Sequence, residues 1–226
     1  MKTYQIVTYD PKLFKWLQKN KISLPINFET TKIICEKTSK ILKQKKLRVL
    51  DLMAGIGGFL HYCECLGHSV LGIEINEKVV DRALSYNIVV GDSLSLTERF
   101  IDAISRKNFN LLFFSPPLPS LDPRKDNKYL KRFRSTFEKW EINCRKIIRT
   151  YIQIFSKGQN KNAVFVISSC KIGQYDVPNL LLRFFLDEIV NFSKKYKCIH
   201  IFRIKNVRIS NISKHCEIID ILKLQK

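Results

Sequence analysis

The sequence predicts an α/β fold built on a mostly parallel sheet with helices against both faces. Three observations predict it. Short β-branched or apolar runs alternate with longer segments of helical pattern. Most of the strand-like runs are continuously apolar rather than alternating, as strands covered on both faces must be. Only the last two strands lack a connection long enough for a helix, so they should pair antiparallel. With 226 residues and 45% hydrophobic content, the chain can form one sizeable core and hardly two. One domain over 1–226 is therefore expected, with an N-terminal extension over 1–27 and a basic insertion over 120–150.

In order, a helix over 28–43 precedes the first strand, 48–52 (RVLDL), which runs into a glycine-rich turn and a helix over 57–66. Strand 69–75 (SVLGIEI) leads to a helix over 76–85, strand 87–90 (NIVV) to a helix over 95–106, and strand 109–114 (FNLLFF) to a serine and two prolines. A helix over 136–156, strand 162–168 (NAVFVIS) and a helix over 178–195 follow. Strands 198–204 (CIHIFRI) and 216–224 (CEIIDILKL), joined by the short polar segment 205–214, complete the chain.

Composition narrows the function. No window approaches the ~20 uninterrupted apolar residues of a membrane span, so no membrane partner is expected. The start, MKTYQIVTYD, lacks the apolar core of a secretion signal. Seven scattered cysteines without a C-x-x-C pair point to a reducing intracellular compartment, cytoplasmic or nuclear, and to no metal site. Forty Lys+Arg against twenty Asp+Glu leave +20, a balance suited to a polyanion, because each neutralised phosphate releases counterions.

The first strand ends in VLDLMAGIGGFL, residues 49–60. Asp51, Met53 and Ala54 precede a Gly55-x-Gly57-Gly58 turn that opens a helix, the geometry of a nucleotide-binding βα turn. A dinucleotide site would want a small residue where Leu60 stands, and a phosphate loop would want a lysine after the glycines. Strand two ends in Glu74 and Ile75, and a carboxylate nineteen residues after Gly55 suits the hydroxyls of a ribose. Strand three is followed by Asp92 and Ser93, placed to meet an adenine amine.

Together, Asp51, Gly55, Gly57, Glu74 and Asp92 resemble the S-adenosylmethionine site of class I methyltransferases, and the resemblance covers roughly residues 28–224. It implies a Rossmann-like, mostly parallel seven-stranded sheet with a C-terminal antiparallel hairpin, and S-adenosylmethionine as cofactor. Strand four should lie beside strand one, so that Ser115-Pro116-Pro117-Leu118 faces the methyl donor. This stretch resembles the [D/N/S]-P-P-aromatic motif of enzymes that methylate exocyclic amines of bases. The lone pair of such an amine is delocalised into the ring. Ser115 and the Pro116 carbonyl would accept its N–H bonds, and the prolines stiffen the loop. Leu118 departs from the motif where an aromatic ring usually stacks on the base, which leaves Tyr129 and Phe133 as candidate substitutes and also admits a catalytically inactive subunit. No Pro-Cys occurs, so the carbon-5 cytosine enzymes, whose opening motif AGIGGF resembles, are excluded.

The serine resembles enzymes acting on the 4-amino group of DNA cytosine, and also trimethylguanosine synthases acting on RNA. The tail KHCEIIDILKL resembles the ending of DNA amino-methyltransferases, with Cys216 inserted after His215, and favours DNA. An RNA guanine or adenine amino-methyltransferase is the rival. Over residues 123–149, ten basic and three acidic residues give +7, with Tyr129, Phe133, Phe137 and Trp140 at about helical spacing. Arg124, Lys125, Lys128, Lys131, Arg132 and Arg134 are expected to grip phosphates while a base is extruded. A solvated helix with an aromatic core stripe is the other reading of this segment.

Overall fold

Alternate side chains along each central strand enter two different cores, which is why these strands read as unbroken apolar runs. The computed structural model describes Trp16, Lys19 and residues 28–119, 126–170, 175–192, 196–208 and 216–226. In chain order these form α1 (Phe28–Leu42), β1 (Arg48–Asp51), α2 (Gly58–Cys65), β2 (Ser69–Glu74), α3 (Glu77–Val80), β3 (Ile88–Val90) and α4 (Glu98–Ser105). β4 (Leu111–Phe114), α5 (Lys128–Arg134), α6 (Phe137–Lys157), β5 (Asn162–Cys170), α7 (Val177–Phe192), β6 (Lys197–Arg208) and β7 (Cys216–Gln225) follow.

The strand order is β3-β2-β1-β4-β5-β7-β6. The first five strands in that order run parallel, whereas β7 is antiparallel to both β5 and β6. The expected reversed hairpin is therefore present. Leu50, Leu112, Phe114, Phe165 and Ile167 face α4, α6 and α7. Val49, Leu111, Phe113, Val164 and Val166 face α1 and α2. The two sets alternate in sequence, as successive strand residues must. The chain leaves β1 toward β2 on one side and reaches β4 on the other, so the crevice beyond these two strand ends is the topological switch point, where open α/β sheets bind ligands.

α6 shows how sequence makes one wall of that crevice. Thr136 caps its start by accepting the Lys139 N–H at 3.1 Å. Trp140, Cys144, Ile147, Ile148, Tyr151, Ile154 and Phe155 recur at helical spacing and are buried. Its polar side carries Arg145 and Arg149, both paired with the buried Glu188 of α7. Two expectations need correction. The helix expected over 76–85 is a single turn, α3, because the chain then bends so that the Leu84 N–H reaches the Ile56 carbonyl at 2.8 Å. The helical spacing across 129–140 is split in two, since Asn127 caps α5 and Thr136 starts α6 afresh. His215 and the 193–195 end of the helix expected over 178–195 lie outside the described residues.

Candidate functional site

The end of β1 is held by an acid that burial keeps partly neutral. Asp51 is buried and accepts the Met53 N–H at 2.9 Å. Burial pushes its carboxyl up to about 7; the Met53 bond opposes the shift and the charge of Glu74 adds to it. After Asp51 the chain turns through Gly55 at φ +55° and Gly57 at φ +73°. A Cβ at Gly57 would lie 2.3 Å from the Ile88 side chain, so that glycine lets β3 approach the turn. A Cβ at Gly55 would meet no atom within 4 Å, because that backbone borders open space.

Glu74 closes the turn. Its two carboxylate oxygens accept the Gly55 N–H at 3.0 Å and the Asn76 N–H at 2.9 Å. Burial raises its pKa against those bonds. At the end of β3, the Gly91 N–H bonds the Glu74 carbonyl at 2.9 Å. Asp92 then accepts the Leu94 N–H at 3.0 Å, and its other oxygen is paired with Arg132 of α5. The Ser93 hydroxyl donates to the Leu52 carbonyl.

The Ser-Pro-Pro loop is shaped by side chains from α5 and α6. Tyr151 bridges the two strands that part at the switch point: it accepts the Leu52 N–H at 2.7 Å and donates to the Phe113 carbonyl. The indole N–H of the buried Trp140 donates to the Pro117 carbonyl at 2.7 Å. Arg134 donates to the Leu118 carbonyl at 2.5 Å and forms a two-pronged pair with the buried Asp126.

One cavity joins these parts. It encloses about 210 Å³, many times the ~10–15 Å³ one water occupies on the same measure. Asp51, Met53, Ala54, Gly55, Glu74, Ile75, Asp92 and Ser93 line one side, and Ser115 and Pro117 line the other. Tyr129, Arg132, Phe133 and Arg134 border it from α5. Gly57, Pro116, Leu118, Lys128 and Lys131 stand outside the lining. Arg124 and Lys125 lie outside the described residues.

Two guanidiniums expected on a phosphate-facing wall are engaged inside the protein. Arg134 is only 16% exposed in its pair with Asp126, whereas Arg132 keeps 54% exposure while holding Asp92. The sequence reading also missed the tethering residues Tyr151, Trp140 and Asp126. The aromatic spacing leaves Trp140 open between a core stripe and a substrate-facing one, and does not indicate that its N–H would meet Pro117. No local signal marked Tyr151.

No family model matches the sequence, and no curated protein matches it. Solved structures share its fold. The chain is similar over 95% of its length to 96% of a TehB-like SAM-dependent methyltransferase from Corynebacterium glutamicum, at 14% identity and a TM-score of 0.50. It is similar over 98% of its length to 92% of the cofactor-bound protein Rv0187 from MTB, at 15% identity and a TM-score of 0.55. The fold of this chain is thus the Rossmann-like fold of S-adenosylmethionine-dependent methyltransferases.

Proposed function

We propose that the chain is an S-adenosylmethionine-dependent methyltransferase that modifies an exocyclic amino group of a base in nucleic acid, with the 4-amino group of DNA cytosine as the favoured target. The observation that carries the reading is that Ser115 and Pro117 line the same cavity as Gly55, Glu74 and Asp92. The cavity fits the cofactor chemically, with open space at Gly55 for an extended chain and carboxylates at the ends of three successive strands. The cofactor, when bound, supplies a methyl group on a positively charged sulfonium.

The protein's own part is positioning. Each Glu74 oxygen accepts one backbone N–H and retains a lone pair for a ribose hydroxyl. Asp92 is the acceptor for the adenine amine. Ser115 Oγ accepts an N–H bond of the target amine and aims its lone pair into the cavity; Pro116, outside the lining, stiffens the loop. Trp140 and Arg134 fix the next two carbonyls, so the loop does not have to reorganise as the amine arrives. Exposed Lys128 and Lys131, within a chain of net charge +20, supply attraction for phosphate.

The test is methylation of DNA and of RNA with an isotopically labelled donor, followed by digestion to nucleosides and mass identification. Labelled N4-methyldeoxycytidine is expected. A methylated guanine or adenine from RNA would move the substrate to the rival polymer. Retention of DNA without any label transfer would make the chain a non-catalytic binding subunit and overturn the enzymatic reading.

A further inference from the structure

We propose that Phe137 and Tyr175 form a stacking platform for a base of the nucleic-acid substrate; this rests on the nucleic-acid reading above. The starting point is the residue after Pro117. Leu118 cannot stack a base as a ring would, and its side chain packs against the large core cluster while Arg134 holds its carbonyl. Nearby rings are mostly committed. Trp140 is fully buried and Phe133 is 5% exposed. Tyr129 borders the cofactor cavity, and the Lys128 ammonium lies 4.8 Å from its ring centre.

Phe137 and Tyr175 differ from these. Their rings stack with centres 5.3 Å apart and planes 22° apart, yet they remain 36% and 38% exposed. They come from different segments: Phe137 opens α6, after β4, and Tyr175 precedes α7, after β5. Both segments follow parallel strands and therefore rise at the carboxyl end of the sheet, where the cavity opens. Phe137 also lies 5.3 Å from Trp140, centre to centre, and Trp140 is the side chain bonded to the Pro117 carbonyl. The platform is thus one ring removed from the loop that would hold the target amine.

Charge identifies the occupant. The 123–149 segment that contains Phe137 carries +7 in a chain of +20. A flat uncharged ring carried on a phosphate chain matches part-exposed aromatic rings in a cationic setting, and such stacking tolerates any base. The platform therefore takes a base of the substrate strand, either the extruded target or its neighbour.

Phe137→Leu and Tyr175→Leu keep apolar bulk and remove the ring, whereas Tyr175→Phe keeps it. Each leucine variant should raise KM for a single-stranded oligonucleotide by about 5- to 150-fold, the range spanned by loss of one base–ring stack. Cofactor Kd and melting temperature should hold, and Tyr175→Phe should behave as the parent. In parallel, an oligonucleotide carrying 5-iodouracil should photocrosslink the parent protein at a peptide containing Phe137 or Tyr175. KM within twofold of the parent in both leucine variants, or crosslinks confined to other peptides, would overturn the platform while methylation by the parent leaves the function standing. A parent protein that neither binds nor methylates any nucleic acid removes the function and the platform together.

Discussion

The two sides of the cavity are built on different principles. On the β1–β2–β3 side, backbone N–H groups meet carboxylates carried at the strand ends themselves: Glu74 takes Gly55 and Asn76, and Asp92 takes Leu94. On the β4 side the backbone is held by side chains that reach across the fold. Tyr151 is 38 positions from the Phe113 carbonyl it binds, and Trp140 is 23 from the Pro117 carbonyl it binds. The first side is held by strand-end carboxylates and is anionic. The second depends on α5 and α6 being docked, and its tethers are a phenol, an indole and a guanidinium. The β1–β3 side meets the docked helices at Leu52, through Tyr151, and at Asp92, through Arg132, whereas the loop that would hold the target amine has its successive carbonyls fixed by them.

The comparison is broken most severely at Ser115. Ser115→Ala removes a hydroxyl from the β4 side and leaves every contact of the β1–β3 side in place. Turnover should fall by about 10²-fold, the scale seen for a single preorganised polar group at a reacting centre. Cofactor Kd, measured by calorimetry, should stay within twofold. If both fell together, the two sides would not be separable in the way described. Unchanged turnover would remove Ser115 from the chemistry.

A second break falls on the tether rather than on the reacting group. Trp140→Phe keeps a buried ring and deletes the N–H that meets the Pro117 carbonyl. A carbonyl left without its partner in this part-buried setting costs about 1 kcal/mol, the low end of the range for a buried one, which urea unfolding would read. Turnover should drop roughly tenfold because the loop loses its fixed shape. Cofactor affinity should hold. Loss of stability with full turnover would make Trp140 a packing residue only.

The same division explains what could be read before the structure. Strand–helix alternation and the reversed hairpin follow from apolar periodicity and connection length, which are local properties, whereas β4 beside β1 is implied by the resemblance; the structure has all three. Glu74 was legible because a strand and a turn fix its distance from Gly55. The helix after β2 was read too long because its propensity is local, whereas its end is set by Leu84 reaching Ile56. Arg134 was read from its charge alone. Its partners, Asp126 and the Leu118 carbonyl, depend on how α5 docks, and periodicity carries no record of that.

The last prediction sharpens the comparison through the anionic side alone. Asp51 titrates near 7 because burial disfavours its charge. An acid raised in this way contributes to stability below its ordinary value of 3.8 and loses that contribution as pH rises through about 7. Ligand linkage has the opposite sign. A cationic cofactor in the cavity that Asp51 lines favours the ionised carboxylate, so below pH 7 binding must also expel a proton. Affinity should be flat above pH 8 and weaken by up to about tenfold between pH 8 and 6, the limit for one group fully coupled at that pKa. Glu74, raised in the same direction by burial, adds its own dependence, so the contribution of Asp51 is isolated with Asp51→Asn. That variant should flatten the profile over this interval while Ser115→Ala leaves it intact. An unaltered profile in Asp51→Asn would assign the titration to Glu74. It would then be Glu74, rather than the acid at the end of β1, that senses the charge of the cofactor.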